Sequence, residues 1–427
     1  MLDIKLLREN LARVKERMAT RGTVVDWDEF VLLDRERREA LSNLERLKEK
    51  KNRLSGEIGK VKKSGGDAAS LMREVEEISE AIKNGEGPLA EIEARFEKFM
   101  LMVPNLPHPS VSLGKGSKDN KEVRRWGEPP KFDFPAKNHW DVGEELGILD
   151  FTRAAKLAGA RFALYKGAGA RLERALINFM LDMHTQERAY QEVLPPFLVN
   201  RDVMMGTGQL PKFEEDAYRT EPDDLFLVPT AEVPVTNLHR DEILDGAILP
   251  RGYVSYTPCF RREAGAAGKD TRGLLRVHQF DKVELVRFCR PADSPAEHEK
   301  MTGDAEDVLR RLELPYRVLL MAIGDLGFAA AKKYDLEVWA PGVGQWLEVS
   351  SSSSFTDYQA RRANIRCRPK PGDKPEFVHT LNASGVAPPR TIAALLETRQ
   401  QPDGSVTIPA ALVPYLGTDR LVPPGGG

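Results

Sequence analysis

The sequence predicts an α+β protein with a mainly antiparallel sheet, flanking helices and an N-terminal antiparallel coiled-coil helical hairpin. Apolar residues repeat every seven positions through the first hundred residues, as they do in coiled coils. After residue 136, strand-like stretches occur at irregular spacing and are interrupted by helical patterns. No glycine-rich phosphate loop of the GxGxxG or Walker type is present, so a bound nucleotide would be held by side chains.

The hairpin, called the arm below, is predicted by two apolar seams of similar length. The first seam consists of Leu33, Ala40, Leu47, Leu54 and Val61. The second consists of Val75, Ile82, Leu89 and Phe96. Gly65 and Gly66 lie between the seams and favour a turn. Two ordinary amphipathic helices packed on the body are the alternative, and the high charge of the remaining surface disfavours it.

The rest of the chain is divided by a proline-rich segment. Six prolines among glycines, serines and lysines predict a linker at residues 103–136. We expect a first domain at residues 1–112, which contains the arm, and a second at residues 113–427. Helices are predicted at residues 295–312 and 171–187, the latter with one apolar face made by Leu172, Leu176, Phe179 and Met183. The predicted strands are residues 252–262, 282–289, 333–340 and 345–353.

Composition excludes several classes of protein. The 63 basic and 65 acidic residues nearly balance, so any nucleic-acid binding must come from a local patch. The three cysteines are far apart and form no CxxC pair, which argues against a disulfide framework and a zinc site, and fits a reducing cytoplasm. We expect no signal peptide, and no run of eighteen apolar residues predicts a membrane span.

The most informative stretch runs from Phe260 to Glu284 and contains a strand end, a glycine-rich loop and a returning strand. Arg261 and Glu263 share one face of the first strand by two-residue alternation. Arginines at a strand end suit bidentate recognition of phosphate and carboxylate groups. The loop adds three cations, Lys269, Arg272 and Arg276. Without further context, two strands that carry these arginine and glutamate residues would more often form a salt-bridged hairpin than a ligand-binding site.

This stretch resembles motif 2 of the class II aminoacyl-tRNA synthetases in its seryl form. Further segments resemble blocks of the same family in the same order: Pro195-Pro196 (the end of motif 1), residues 230–232 (the serine-binding loop), residues 348–362 and residues 381–391 (motif 3). The likeness covers essentially the whole chain. In one departure, serines at 350–354 stand where the family often has cysteines, and their flanking residues predict a strand. In another, Pro388-Pro389 still allows Arg390 to project from a helix start.

The resemblance implies the class II synthetase fold and a homodimer. It implies a ligase that uses ATP to convert L-serine to seryl-adenylate and transfers serine to the 3′ end of tRNA(Ser), and of tRNA(Sec) as well. The serine carboxylate attacks the α-phosphorus in line, so catalysis depends on positioning and on neutralising phosphoryl charge. Mg²⁺ is the expected cofactor with ATP, because it is a hard cation that binds oxygen atoms.

The resemblance also assigns roles to residues. The expected catalytic residues are Arg261, at the α-phosphate and the serine carboxylate, Arg390, at the γ-phosphate, and Glu348. The expected ATP-binding residues are Arg261, Arg262, Glu263, Val277, Phe280, Glu348, Val349, Ser350, Ser351 and Arg390. The expected serine-binding residues are Thr230, Ala231, Glu232, Arg261, Glu284, Asn382 and Ser384. Glu348 and Ser351 are the expected metal ligands. Glu263 accepts from the adenine amino group, Phe280 stacks on adenine, and Glu284 and Ser384 contact the ammonium and hydroxyl of serine.

The two arm helices differ in charge. Residues 46–63 carry eight basic and two acidic residues, whereas residues 73–86 carry two basic and five acidic residues. A one-sided basic helix on a projecting hairpin suits contacts with the phosphate backbone of tRNA. Taken alone, such a run of basic residues more often forms only a solvent-exposed face of a helix. The resemblance favours tRNA, and the expected tRNA-binding residues are Lys48, Lys51, Arg53, Lys60 and Lys63.

Two other functions remain open from the sequence. A related enzyme could activate serine and load it onto an acceptor other than tRNA, although the intact arm weighs against this. A catalytically inactive relative could act as a coiled-coil scaffold. The retention of five residues weighs against this: Arg261, Glu263, Glu284, Glu348 and Arg390.

Overall fold

The computed structural model describes residues 1–264 and 272–425. The chain forms two compact units, one of Thr23–Val103 and one of Met1–Gly22 with Pro104–Gly427. None of the helices in the described ranges has the length and apolar character that a membrane crossing requires. Cys259, Cys289 and Cys367 are buried free thiols.

The helices and strands follow in chain order. The α-helices are α1 (Ile4–Ala19), α2 (Trp27–Lys63), α3 (Ala69–Met102), α4 (His139–Glu145), α5 (Phe151–Ala158), α6 (Ala168–Glu187), α7 (Arg201–Thr207), α8 (Glu232–Thr236), α9 (Ser294–Arg311), α10 (Tyr358–Ala363), α11 (Pro388–Thr398) and α12 (Val413–Leu416). The strands are β1 (Lys121–Trp126), β2 (Gln191–Glu192), β3 (Leu198–Val199), β4 (Arg219–Thr220), β5 (Leu225–Leu227), β6 (Ile243–Asp245), β7 (Arg251–Phe260), β8 (Gln279–Cys289), β9 (Tyr316–Leu320), β10 (Lys332–Ala340), β11 (Gln345–Ser354), β12 (Arg366–Arg368), β13 (Glu376–Phe377), β14 (His379–Val386), β15 (Val406–Thr407) and β16 (Arg420–Leu421).

Helices α2 and α3 form the predicted hairpin. The side chain of Asp26 caps α2 by accepting hydrogen bonds from the backbone N–H groups of Asp28 and Glu29 at 3.1 and 3.0 Å. The turn after α2 contains Gly65 with a φ of 73°, a conformation that suits glycine at a helix end. The apolar side chains between the helices belong to the two sequence seams and their flanking rows: Leu44, Leu47, Leu54, Leu71, Val75, Ile78, Ile82 and Leu89.

Gly85 allows α3 to approach α2 closely. A Cβ at this position would lie 2.9 Å from a methyl group of Leu44. The glycine therefore lets Leu44 pack against the backbone of α3, at a cost in helix propensity of about 1 kcal/mol relative to alanine.

The larger unit is built on an eight-stranded sheet with the order β1-β9-β10-β11-β14-β8-β7-β2. Its neighbours are antiparallel, except that the short β2 runs parallel to β7. The register places Ser384 of β14 opposite Glu284 of β8 and Asp335 of β10 opposite Ser351 of β11. The mainly antiparallel α+β fold is confirmed, and the run of serines lies in a strand as predicted.

The core of this unit lies between the sheet and helices that include α6, α9 and α11. Leu172, Leu176, Phe179 and Met183 of α6 are all buried, as their helical spacing predicts. Burial of each side chain of this size contributes about 1.5–3 kcal/mol to stability. The sheet is therefore held firmly beneath the segments that extend from its strand ends.

The prediction of a linker throughout residues 103–136 is wrong in part. Residues 121–126 form β1, which pairs with β9 at the edge of the large sheet. The side chains of β1 are mostly exposed and charged, so no apolar alternation indicates a strand. Pairing with β9, rather than the local sequence, makes this segment extended.

Candidate active site

A cavity of about 450 Å³ lies where strands of the large sheet meet the start of α11. It is within the size range of small-molecule sites. Most of the predicted site residues line it: Thr230, Glu232, Arg261, Glu263, Val277, Phe280, Glu348, Val349, Ser350, Ser351, Asn382, Ser384 and Arg390.

Three predicted site residues do not form part of the cavity wall. Glu284 is fully buried behind it and is reached through Asn382 and Ser384, which do line the cavity. Ala231 packs in a neighbouring apolar cluster. Arg262 points elsewhere, because its guanidinium donates to the carbonyl oxygen of Glu215 at 3.0 Å.

Two arginines enter the cavity from different elements. Arg261 directly follows β7, and its Nε donates to the carbonyl oxygen of Pro229 at 3.3 Å. Its guanidinium carbon lies 5.2 Å from the centre of the Phe280 ring. Arg390 is the third residue of α11, as predicted, and donates to the carbonyl oxygen of Glu348 at 2.7 Å. Arg261 is held by a carbonyl group, so its positive charge stays available to an anion. The guanidinium of Arg390 also lies 3.7 Å from a carboxylate oxygen of Glu348.

The cavity wall also contains an ion pair. Nε of Arg276 lies 2.7 Å from a carboxylate oxygen of Glu263, whose φ of 51° turns the chain away from the end of β7. A ligand donor that replaces Arg276 at Glu263 would release Arg276 for an anionic group. Of the other predicted loop cations, Arg272 packs with its guanidinium 4.8 Å from the ring of Trp140, and Lys269 lies outside the described residues.

Neighbouring positive charges keep Glu348 ionised. Burial favours a higher pKa for Glu348, but Lys333 and Arg390 outweigh it and hold this pKa well below its usual value. Asp335 behaves in the opposite way, because burial and the charge of Glu348 raise its pKa. Nζ of Lys333 lies 3.0 Å from Asp335. Of this pair, Glu348 is therefore the carboxylate that carries negative charge, and it lines the cavity.

The same carboxylate offers part of a cation site. Glu348 accepts a hydrogen bond from the hydroxyl of Ser351 at 2.7 Å, so two oxygen donors lie side by side on β11. In the described ranges, no group of three or more His, Cys, Asp or Glu side chains could hold a metal ion. These two donors fit Mg²⁺, which keeps several waters and takes further oxygen ligands from bound phosphates.

Two buried carboxylates, Glu232 in the wall and Glu284 behind it, lie near one lysine. Nζ of Lys282 lies 2.6 Å from Glu284 and donates to the hydroxyl of Thr230 at 2.8 Å. The amide of Asn382 donates to Glu284 at 2.7 Å and to Glu232 at 3.1 Å. The positive charge of one lysine neutralises the negative charge of only one of the two carboxylates. This region can therefore accept the ammonium group of a ligand.

Ser384 and Gln359 complete this network. The hydroxyl of Ser384 donates to Glu284 at 3.3 Å, and the amide of Gln359 donates to Glu232 at 2.6 Å. Burial, followed by the charge of Glu284, raises the pKa of Glu232 to about 7. Near neutral pH, Glu232 therefore carries a proton part of the time when no ligand cation faces it.

Sequence reasoning missed three residues that hold this site: Lys282, Gln359 and Lys333. Lys282 precedes Glu284 by two residues on one strand, so two-residue alternation could have indicated it. Gln359 lies inside a segment quoted for the family resemblance, but without an assigned role. Nothing in the local sequence of Lys333 shows that its charge acts on Glu348, because the fold brings the two residues to the same cavity from different strands.

The arm presents its predicted basic residues at the surface of its own unit. Arg53, Lys60 and Lys63 are exposed, and Lys51 is half-buried. Lys48 forms an ion pair across the hairpin with Glu86 at 3.2 Å. Exposed cations can bind phosphate groups at low desolvation cost, whereas Lys48 would have to exchange partners.

Comparisons with known proteins agree with this architecture. Residues 1–107 match the family model of the seryl-tRNA synthetase N-terminal domain, and residues 212–399 match that of the tRNA synthetase class II core domain (G, H, P, S and T). The serine–tRNA ligase of Carboxydothermus hydrogenoformans is 57% identical over 421 residues, which cover 99% of each chain.

Solved structures resemble the chain over its length. The crystal structure of seryl-tRNA synthetase from Pyrococcus horikoshii complexed with ATP has a TM-score of 0.91 and 43% identity, and covers 99% of this chain and 100% of that one. Cytoplasmic serine–tRNA ligase from Naegleria fowleri in complex with AMP has a TM-score of 0.86 and 30% identity, and covers 100% of this chain and 99% of that one. With the arm and the class II core both matched at this identity, the chain belongs to the seryl-tRNA synthetase family.

Proposed function

We propose that this chain activates L-serine with ATP and transfers the serine to the 3′ end of tRNA(Ser), as a serine–tRNA ligase. The main support for this proposal is one cavity with two chemically different regions. Arg261 and Arg390 suit phosphates and a carboxylate, and the pair of Glu232 and Glu284 suits an ammonium group. The high identity to serine–tRNA ligases supports the same activity.

In the adenylation step, the serine carboxylate attacks the α-phosphorus of ATP and pyrophosphate leaves. Arg261 holds both reacting groups together, and Arg390 binds the γ-phosphate. The adenine amino group donates to Glu263, which releases Arg276 towards the phosphates. Once Arg261 moves to the α-phosphate, the ring of Phe280 is free to stack on adenine. Positioning and charge neutralisation by these side chains supply the catalysis.

The remaining ATP contacts come mainly from β11. Glu348 and Ser351 would hold Mg²⁺, which neutralises charge on the phosphate oxygens when it is bound with ATP. Because its pKa is lowered, Glu348 remains ionised and able to act as a ligand at neutral pH. Val277, Val349 and Ser350 shape the wall around the nucleotide.

Serine binds with its ammonium group at Glu232 and Glu284. Its hydroxyl contacts Glu284 and Ser384, and Thr230 and Asn382 hold these acidic groups in place. The site is built to hydrogen-bond a hydroxyl, so a substrate without one leaves buried polar groups unpaired.

Pyrophosphate exchange followed by tRNA charging tests the proposed function. Serine-dependent exchange together with charging of tRNA(Ser) is expected. Exchange without charging would instead indicate a related enzyme with another acceptor. A protein that shows no exchange would be a scaffold.

We also propose a functional division near residue 112. Residues 1–112 bind tRNA through the arm, and residues 113–427 catalyse adenylation and transfer in a cytoplasmic homodimer. The match of residues 1–107 to the N-terminal domain model supports this division. Sedimentation equilibrium measures the oligomeric state, and charging of purified tRNA(Sec) tests that tRNA as a further substrate.

The Ser384→Ala variant should lose part of its discrimination against alanine. A site that hydrogen-bonds the serine hydroxyl can favour serine over alanine by roughly 10⁴-fold in kcat/KM. Removal of one hydrogen-bond partner of the hydroxyl should reduce this serine-to-alanine ratio. The measurement is kcat/KM for serine and alanine in pyrophosphate exchange. Ser353→Ala is a matched control, since Ser353 also lines the cavity but has no proposed contact with the hydroxyl. An unchanged ratio in Ser384→Ala would remove Ser384 from hydroxyl recognition.

The KM for serine should depend on the protonation of Glu232. Its carboxyl has a pKa of about 7, so it is mostly protonated one pH unit below that value and mostly ionised one unit above. Only the ionised form pairs with the ammonium group, so KM should rise by roughly tenfold between pH 8 and pH 6. Glu232→Gln should show a high KM with little of this dependence. A wild-type profile that matches the variant in shape would contradict the assignment.

A further inference from the structure

We propose that His139 is a positioning residue that fixes the end of the motif 2 loop and, through it, the side chain of Arg390 for ATP binding. His139 begins α4, far from motif 2 in the sequence, and lies outside the cavity wall. The inference rests on the proposed function, because it concerns how the same ATP site is held.

The imidazole of His139 is anchored on one side by Glu397 of α11. Nδ1 of His139 lies 2.7 Å from a carboxylate oxygen of Glu397, which also accepts from the His139 backbone N–H at 2.9 Å. The other carboxylate oxygen accepts from the N–H groups of Gly342 and Val343 at 2.8 and 3.0 Å. Both side chains of the pair are fully buried. Four hydrogen bonds therefore fix the carboxylate, and the carboxylate fixes the ring.

The other side of the ring holds the motif 2 loop. The backbone N–H of Leu274 points at Nε2 of His139 at 3.0 Å. A backbone N–H can only donate, so Nε2 must be the unprotonated nitrogen, and Nδ1 carries the proton that is donated to Glu397. A neutral imidazole in this tautomer thus links a fixed carboxylate to the backbone of the loop, in the way that outer carboxylates orient histidines at metal sites.

Gly273 makes this contact possible. Its φ is 67°, and a Cβ there would lie 2.3 Å from Nε2 of His139. Only glycine therefore lets the ring approach the next N–H in the chain without displacement.

The link continues from the ring to the ATP site. Leu274 and Leu275 line the cavity, and the carbonyl oxygen of Leu275 accepts a hydrogen bond from Nε of Arg390 at 3.0 Å. The Leu274 N–H and the Leu275 carbonyl belong to successive residues, so anchoring one restricts the other. Loss of the ring acceptor would leave the Leu274 N–H unpaired in a buried position and would release the group that orients Arg390.

Two substitutions of His139 test the contacts of its two ring nitrogens separately. His139→Asn places an amide donor near the position of Nδ1, so it keeps the contact with Glu397 and leaves the Leu274 N–H without an acceptor. His139→Gln reaches the position of Nε2 and can restore that acceptor. We expect His139→Asn to raise the KM for ATP in pyrophosphate exchange by roughly tenfold. His139→Gln should stay within about threefold of wild type, and the KM for serine should change little in both.

A matched control removes a purely structural explanation. His298→Asn replaces another fully buried histidine, on α9, and should lower thermal stability without changing the KM for ATP. Equal changes in His139→Asn and His139→Gln, or a wild-type KM for ATP in His139→Asn, would overturn the proposal. Calorimetric titration with ATP alone measures the Kd for ATP without the exchange reaction. The two variants should rank in the same order by this Kd as by their KM. Absence of serine-dependent exchange in the wild-type chain would overturn the proposed function instead.

Discussion

Replacing Arg261 with alanine should slow serine-dependent pyrophosphate exchange by roughly a hundredfold or more. The guanidinium is proposed to bind the α-phosphate and the serine carboxylate together, so its removal takes away interactions that strengthen as charge develops in the transition state. A loss on the order of 3 kcal/mol in the activation barrier corresponds to this factor. The effect should appear mainly in kcat and kcat/KM, which the exchange assay measures over a range of ATP and serine concentrations.

The fold should survive this substitution. Arg261 is half-buried, and its side chain donates to the carbonyl of Pro229 at a long distance of 3.3 Å. Thermal unfolding of the variant should therefore resemble that of the wild type. Arg290→Ala is a matched control, because Arg290 pairs with Glu376 at 3.4 Å in a half-exposed position outside the cavity. Exchange by Arg261→Ala at the wild-type rate would show that the motif 2 assignment is wrong.

The parts of the fold that the sequence predicts well are those in which local periodicity and burial coincide. The arm seams and the apolar face of α6 repeat at helical spacing because each helix buries one side only. β1 has no such pattern, since it is an edge strand with mostly exposed side chains. Its extended conformation depends on β9, which lies about 190 residues further along the chain, and no local rule contains that partner.

The candidate site also contains some residues that sequence motifs predict and others that only the fold identifies. Arg261, Glu348 and Arg390 belong to long sequence motifs, and the cavity brings them together. Gln359 and Lys333 could not be assigned, because their function depends on partners brought close by the fold. Gln359 reaches Glu232 from 127 residues away.

Arg262 illustrates the limit of a motif. It is adjacent to Arg261 in motif 2 and was expected to bind ATP. Its side chain is directed towards the backbone of Glu215, while Arg261 and Glu263 line the cavity. Arg262 therefore lies outside the cavity wall, and its role in ATP binding stays a prediction.

Excision of residues 46–83, with the stumps joined by a short turn that contains glycine, should separate the two steps of the reaction. Leu44 packs against Gly85 across the hairpin, so the remaining ends of α2 and α3 already lie side by side. The ion pair of Arg37 with Glu93 at 3.2 Å and the ring contacts of Phe30 with Phe96 remain to hold the shortened arm. Pyrophosphate exchange should stay close to that of the intact chain, and most tRNA charging should be lost.

The lost interaction should be electrostatic, and salt dependence tests this in the full-length chain. Each phosphate contact contributes roughly 0.7–0.9 to the slope of log affinity against log salt, so tRNA binding should weaken steeply with salt while exchange changes little. Replacing Lys51, Arg53 and Lys60 with alanine should flatten that slope. A matched variant that replaces the exposed Glu76, Glu77 and Glu80 of α3 should not flatten it. If the excised protein charges tRNA as efficiently as the intact one, the arm does not bind tRNA, and its exposed basic face must serve another partner.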